Sequence, residues 1–201
     1  MTIAIIKYNA GNIRSVSNAL NRLGVEHAIT DNPDQIVAAD GVIFPGVGEA
    51  STTMAYLSEK GLDVLIRQLK QPVLGICLGM QLMCSWSQEG DTPCLGIFDL
   101  PVKRFDIGLK IPHMGWNSLQ QVKEPLFAPH IEGQFVYFVH SYYVPVAKET
   151  AALAHYGIPF SAALQKDNFF ATQFHPEKSG DAGEKILKGF LEIVQTSKPN
   201  P

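Results

Sequence analysis

The run Pro72–Ile76 is apolar at every position and ends at a glycine-flanked cysteine, in GICLG (75–79). A strand with one wet face alternates apolar and polar residues; a strand buried on both faces does not. Cover on both faces calls for helices above and below, and so for parallel strands joined by helical crossovers. The sequence before it supplies the parts. Thr2–Ile6, Val25–Thr30 and Gly41–Phe44 are further short strands. Ile13, Val16, Leu20 and Leu23 recur at helical spacing and stop at Gly24, a natural C-terminal cap. Leu62, Leu65, Ile66 and Leu69 form another helical stripe, and Met80–Trp86 is expected to be helical after Gly79. The expected fold is α/β: a mostly parallel open sheet with helices on both faces.

The middle of the chain, from about Thr92 to Pro145, is richer in proline and turn residues. It predicts a smaller region of short antiparallel strands, such as Gln134–Val139. Ala151–Tyr156 and Phe169–Phe174 follow as strands. Ile186, Leu187, Phe190, Leu191 and Val194 line one face of a last helix, with Asp181 and Glu184 spaced as a capping box. Lys198–Pro201 is expected to fray. With no repeat or low-complexity segment, residues 1–201 are read as a single domain.

Several function classes fall away. Sixteen Lys plus Arg against 19 Asp plus Glu, with no basic cluster, leave no footprint for nucleic acid. Three cysteines, Cys77, Cys84 and Cys94, make no disulfide framework and fit a reducing compartment. The opening MTIAIIKYNAG has no basic segment ahead of its apolar stretch, unlike a signal peptide. No run approaches the ~18 apolar residues of a membrane span. No His/Cys cluster has metal-ligand spacing, so no metal is expected. Gly46-x-Gly48 lacks the third glycine of a dinucleotide fingerprint, Ser51 standing there, so no cofactor is expected either. A soluble, cytoplasmic protein follows.

What remains is nucleophile chemistry. A strand that ends in G-x-nucleophile-x-G and turns into a helix thrusts its side chain above the carboxyl edge of the sheet. The helix N-terminus there favours thiolate over thiol, and the Leu78 N–H can donate to a developing oxyanion. Cys77 is thus a candidate nucleophile; the alternative is a small buried core residue. A thiolate needs a base. In ATQFHPEKS (171–179) a strand ends at His175, and Glu177, two positions on, can reach back to orient the imidazole. Alone this is an ordinary His-Pro-Glu turn. Beside GICLG it completes a nucleophile–base–acid set at a sheet edge, where open α/β sheets place their sites. FPGVGEA (44–50) is read as a backbone loop supplying a second N–H near Cys77, or as a tight turn only.

The segments IKYNAGNIRSV (6–16), FPGVGEA, GICLGMQLM (75–83), KIPHMGWN (110–117), FVHSYY (138–143) and ATQFHPEKS together resemble the class I glutamine amidotransferases, and do so over nearly the whole chain. PHMGWN is the most discriminating piece. It resembles the members that serve a β/α-barrel cyclase in histidine biosynthesis, and other class I members lack it. The resemblance implies that Cys77, His175 and Glu177 are the triad. It implies oxyanion donors at Leu78 and the Val47–Gly48 peptide, and a glutamine pocket at Gln81, His140, Ser141 and Tyr142. The cyclase would face the Asn9–Asn12 turn and the segment with Pro112, His113, Met114, Trp116 and Asn117. Lys7 and Ala50 depart from the family's commoner residues. Rival readings are the glutaminase of another synthase, such as anthranilate or aminodeoxychorismate synthase, a partnerless hydrolase, and an inactive binding subunit. An α/β-hydrolase normally carries its acid before the histidine, whereas Glu177 follows it.

Overall fold

The computed structural model of the chain describes residues 1–8 and 12–197. Strands β1 (Thr2–Ile6), β2 (Glu26–Thr30), β3 (Gly41–Phe44) and β4 (Val73–Ile76) pair in parallel. Between them lie helices α1 (Ile13–Arg22), α2 (Pro33–Ala38), α3 (Ala50–Glu59) and α4 (Leu62–Gln68). After β4 comes α5 (Leu78–Met83). The short strands β5 (Trp86–Ser87), β6 (Thr92–Pro93), β7 (Pro101–Arg104) and β10 (Tyr142–Tyr143) form a small sheet of their own. β8 (His113–Ser118) and β9 (Phe135–His140) pair as an antiparallel ribbon. Two long antiparallel strands, β11 (Thr150–Tyr156) and β12 (Ile158–Lys166), then lead into β13 (Phe169–Thr172), and α6 (Gly180–Thr196) closes the chain. The principal sheet runs β11-β12-β13-β4-β3-β1-β2, with β13 parallel to β4.

Successive side chains on a strand point to opposite faces, and here both faces are covered. Ile3, Ile5, Leu74 and Ile76 pack with Val16 and Leu20 of α1 and Ile186, Phe190 and Val194 of α6. Ala4, Ile6, Val42, Phe44 and Val73 pack with Leu57 of α3, Leu62 and Ile66 of α4 and Leu82 of α5. The unbroken apolar runs in the sequence are the direct consequence. Truncating Phe190, which is fully buried, is expected to cost about 3–5 kcal/mol.

Several elements differ from the expectation, among them α2, for which the sequence reading has no counterpart. The helix after Gly79 stops at Met83. Cys84 is extended, the Ser85 N–H donates to the Leu100 carbonyl, and Trp86 enters the small sheet. β12 was not anticipated, because Pro159 and Ser161 obscure its apolar pattern. The capping box does not form. α6 begins at Gly180, which puts Ser179 at the cap position and Asp181 inside the first turn. The Ser179 hydroxyl is turned away from the helix, donating to the His175 carbonyl at 2.6 Å and accepting from the Tyr137 N–H. The Lys198–Pro201 tail lies outside the described residues.

Candidate active site

Two neighbouring parallel strands must present their carboxyl ends at one edge. β4 and β13 are such a pair, with Ile76 opposite Thr172. Cys77 follows β4 and His175 follows β13 by three residues, so the fold brings them to one rim. The Cys77 N–H donates to the Thr172 carbonyl at 2.7 Å, and the His175 N–H to the Tyr137 carbonyl at 2.9 Å.

Cys77 sits at φ 55°, ψ −106°, a backbone state that is strained for a residue with a Cβ. The flanking glycines make the elbow possible by letting helix and sheet touch. A Cβ on Gly79 would run into the Phe44 carbonyl, and one on Gly75 would stand 2.8 Å from the Met83 sulfur. At the base, Nδ1 of His175 lies 2.8 Å from Oε1 of Glu177, and both side chains are inaccessible to solvent. A 3₁₀ turn at Pro176–Lys178, rather than a continuing extended segment, swings Glu177 back to the ring.

Nε2 of His175 is buried and makes no hydrogen bond, although the ring lies close enough to Cys77 to feel its charge. The contact is looser than a regular hydrogen bond, as nucleophile–base pairs often are before substrate binds. Burial alone would lower the pKa of His175. The nearby Cys77 sulfur, followed by the hydrogen bond and charge of Glu177, overcomes burial and raises it.

Above Cys77 opens a cavity of about 300 Å³. Its walls are Val47, Gly48, Cys77, Leu78, Gln81, Glu89, Pro112, Val139, His140, Ser141 and Tyr142. The residues assigned by resemblance to oxyanion and pocket therefore share one cavity. The Leu78 N–H is already engaged, donating to the Gly46 carbonyl at 3.4 Å.

The residues assigned to a partner face divide. Met114 and Trp116 are exposed, 62% and 56%, on one side of β8. His113 is on the opposite side of the strand and buried, with Nδ1 3.0 Å from Nε2 of His140. Asn117 donates to the His155 carbonyl at 2.9 Å. Pro112 turns to the cavity. Asn12, in the left-handed region at φ 77°, directs its amide inward; it donates to Glu177 Oε1 and lies 3.2 Å from His175 Nδ1. Asn9, assigned with it to the partner face, lies outside the described residues.

Sequence reasoning missed two residues. Glu89 places a carboxylate at the cavity, and burial together with Glu49 raises its pKa against the lowering effect of the Ala50 N–H. It sits in a short polar turn with no pattern to mark it. Gln173 is fully buried and donates to the Cys77 sulfur at 3.7 Å. Its place two residues before His175 was the one available signal. The remaining cysteines stay apart from this chemistry. Burial pushes Cys84 far up and Cys94 to about 12. Among the described residues no group of His, Cys, Asp or Glu could hold a metal ion, and no helix is long and apolar enough to cross a membrane.

A strained cysteine elbow, a histidine and a carboxylate on the rim of a doubly covered sheet are the parts of a cysteine-nucleophile enzyme. The family model for glutamine amidotransferase class-I matches residues 4–194, and the chain belongs to that family. Within it, the chain is 63% identical over 196 residues to the imidazole glycerol phosphate synthase subunit HisH of Bacteroides fragilis, an alignment covering 96% of this chain and 100% of that one. The protein of the same name from Pectobacterium atrosepticum is 47% identical over the same shares of the two chains. The fold itself is shared with a crystal structure of a glutamine amidotransferase, at a TM-score of 0.75 and 20% identity over 96% of this chain and 98% of that one.

Proposed function

We propose that this chain is the glutaminase subunit of an imidazole glycerol phosphate synthase, acting in histidine biosynthesis and delivering ammonia to a β/α-barrel cyclase. One observation carries the reading: Cys77, His175 and Glu177 meet at a single sheet rim beneath a cavity of about 300 Å³. In this reading the Cys77 sulfur attacks the side-chain amide carbon of glutamine. His175, which holds its proton tightly, gives it to the leaving nitrogen, and ammonia departs from a glutamyl thioester. Water, deprotonated by the same imidazole, then attacks the thioester and frees glutamate. Glu177 keeps Nδ1 protonated and aimed. The Glu89 carboxylate is suited to the substrate's ammonium group.

The oxyanion would rest on the Leu78 N–H and the Val47–Gly48 peptide. Because Leu78 is engaged by Gly46, the 46–48 loop must shift before that donor is free. A missing oxyanion donor costs about 10²–10³ in rate, so the lone subunit is expected to be slow. Ammonia released to water is protonated and lost as a nucleophile, which calls for a partner seated over the cavity. Met114, Trp116 and Phe135, all more than half exposed on the ribbon, give such a partner an apolar seat next to Pro112 and Val139 of the cavity wall. The relatives at 60–63% identity favour this synthase over an anthranilate- or aminodeoxychorismate-type partner.

The test is glutamine hydrolysis with and without the cyclase and its ribotide substrate. Hydrolysis should rise steeply only with both. Equal stimulation by an anthranilate-type synthase would reject the assignment.

A further inference from the structure

Gln173 is fully buried, and Gln81 is almost so. A buried amide is costly unless its hydrogen bonds are made, and these two are joined end to end. Gln81 Nε2 is 3.1 Å from the Tyr142 carbonyl oxygen and 3.0 Å from Gln173 Oε1. Gln173 Nε2 is 3.7 Å from the Cys77 sulfur. The direction of every donor follows from one atom. A backbone carbonyl can only accept, so Gln81 must turn its NH₂ toward Tyr142. That NH₂ also faces Gln173, which must answer with its oxygen. The Gln173 NH₂ is then left pointing at Cys77. Flipping either amide sets donor against donor or acceptor against acceptor.

The same carbonyl fixes a second branch. His140 Nδ1 lies 2.7 Å from the Tyr142 oxygen and must carry the hydrogen. His140 Nε2 therefore accepts from His113 Nδ1 at 3.0 Å. Both rings are neutral donors in a chain with one polarity, and His113 belongs to the ribbon that carries Met114 and Trp116.

Among the described residues the sulfur also faces the Val139 carbonyl and His175. The Val139 carbonyl, at 3.9 Å, can accept from a thiol but repels a thiolate. His175 gives up its proton during turnover. Gln173 is the neutral donor that stays in place throughout. We propose that Gln173 is a catalytic residue, whose fixed amide N–H steadies the anionic Cys77 sulfur, and that Gln81, with the Tyr142 carbonyl held by the His140–His113 pair, is what keeps that amide turned the right way. The consequence for turnover rests on the glutaminase reading; the contact with the sulfur does not.

The test uses the whole chain, in which alkylation of Cys77 by iodoacetamide is followed at neutral pH by mass analysis of the peptide that contains it. Hydrogen bonds to charged groups are the stronger kind, and tenfold corresponds to one such modest bond. Gln173→Met keeps length and bulk but cannot donate, and should slow alkylation roughly tenfold or more. Gln173→Glu should slow it at least as much. Gln81→Leu frees the Gln173 amide to turn, and should reproduce most of the loss. The double variant should be no slower than Gln173→Met, because the two act as one unit. Thermal melting checks that each variant is folded, and if Gln173→Met is not, Gln81→Leu decides. Alkylation within twofold of the parent in a folded single variant, or fully multiplicative losses in the double, would overturn the proposal. Failure of the parent to hydrolyse glutamine with its cyclase, with the alkylation pattern intact, would instead strike the functional reading alone.

Discussion

The rim of the main sheet and the β8–β9 ribbon lie beside one another but are built on opposite terms. At the rim the three candidate triad residues are buried: Cys77 is 6% exposed, and the His175 and Glu177 side chains are shut off completely. Parallel pairing of β4 and β13 sets their places. On the ribbon one side is open, with Met114, Trp116 and Phe135 mostly in water, while the other side carries the buried His113–His140 pair. The candidate chemistry thus sits in a part of the fold closed to solvent. The ribbon presents an apolar face outward and a polar pair inward.

The strongest way to break that division is to remove the nucleophile. Cys77→Ala should abolish glutamine-dependent synthesis by the complex, a loss of at least about 10³-fold, while synthesis from added ammonium salt continues. Steady-state assays with each nitrogen source check it. If both continue at the parent rate, the sulfur is not the nucleophile. Next in size is Glu177→Gln. The amide nearly matches the carboxylate in shape but removes a charge that helps to hold the His175 proton. A fall of about 10²-fold in kcat with little change in KM is expected. Activity above half of the parent value would mean that Glu177 does not orient the imidazole.

How much of this the sequence carries depends on the range of the interaction. Period and composition revealed β1, β4 and the α6 stripe, because burial on two faces leaves an unbroken apolar run. GICLG and HPE were legible for the same local reason. Gln173 and Asn12 were not. A buried amide has no periodic signature, and its meaning lies in Gln81, 92 positions away, or in Glu177, 165 away from Asn12. The turn that brings Glu177 to His175 is hidden in the sequence because Pro176 disfavours helix only at the residue before it and leaves the following positions free to turn. Asn12 and His113 were assigned outward by resemblance alone; the strand's two-residue period puts His113 on the side away from Met114 and Trp116, which the motif PHMGWN by itself does not reveal.

The ribbon's outer side is probed by Trp116→Ala. Exposed tryptophans that become buried in an interface are frequent hot spots, and loss of one costs about 2 kcal/mol or more. Binding to the cyclase should weaken roughly 30-fold, as measured by titration calorimetry. The melting temperature of the free subunit should stay within a degree or two, since Trp116 is 56% exposed and its aromatic neighbour Tyr137 lies with centroids 6.1 Å apart. A large drop in free-subunit stability, with affinity unchanged, would move Trp116 from the partner face into the core.

The smallest effect belongs to the ribbon's inner side and is read through pH. Burial pushes His113 down to about 4; burial, with the charges of His113 and His175, pushes His140 down to about 3. An unfolded histidine titrates near 6.5. As pH falls below that value the unfolded chain takes up protons that the folded chain refuses, so stability falls with pH. The contribution of the pair is complete above about pH 6.5 and shrinks down toward the folded values. His113→Phe removes one of the two sites while keeping an aromatic ring between Tyr156 and Phe138, where centroid distances are 4.1 and 5.0 Å. The variant should be less stable at pH 7, because His140 Nε2 loses its donor. It should also lose less additional stability than the parent between pH 7 and pH 5, by urea titration at each. His175 and the carboxylates titrate in both proteins and cancel in the comparison. Equal losses in the two proteins would mean that His113 is protonated in the fold at pH 5, against the effect of its burial.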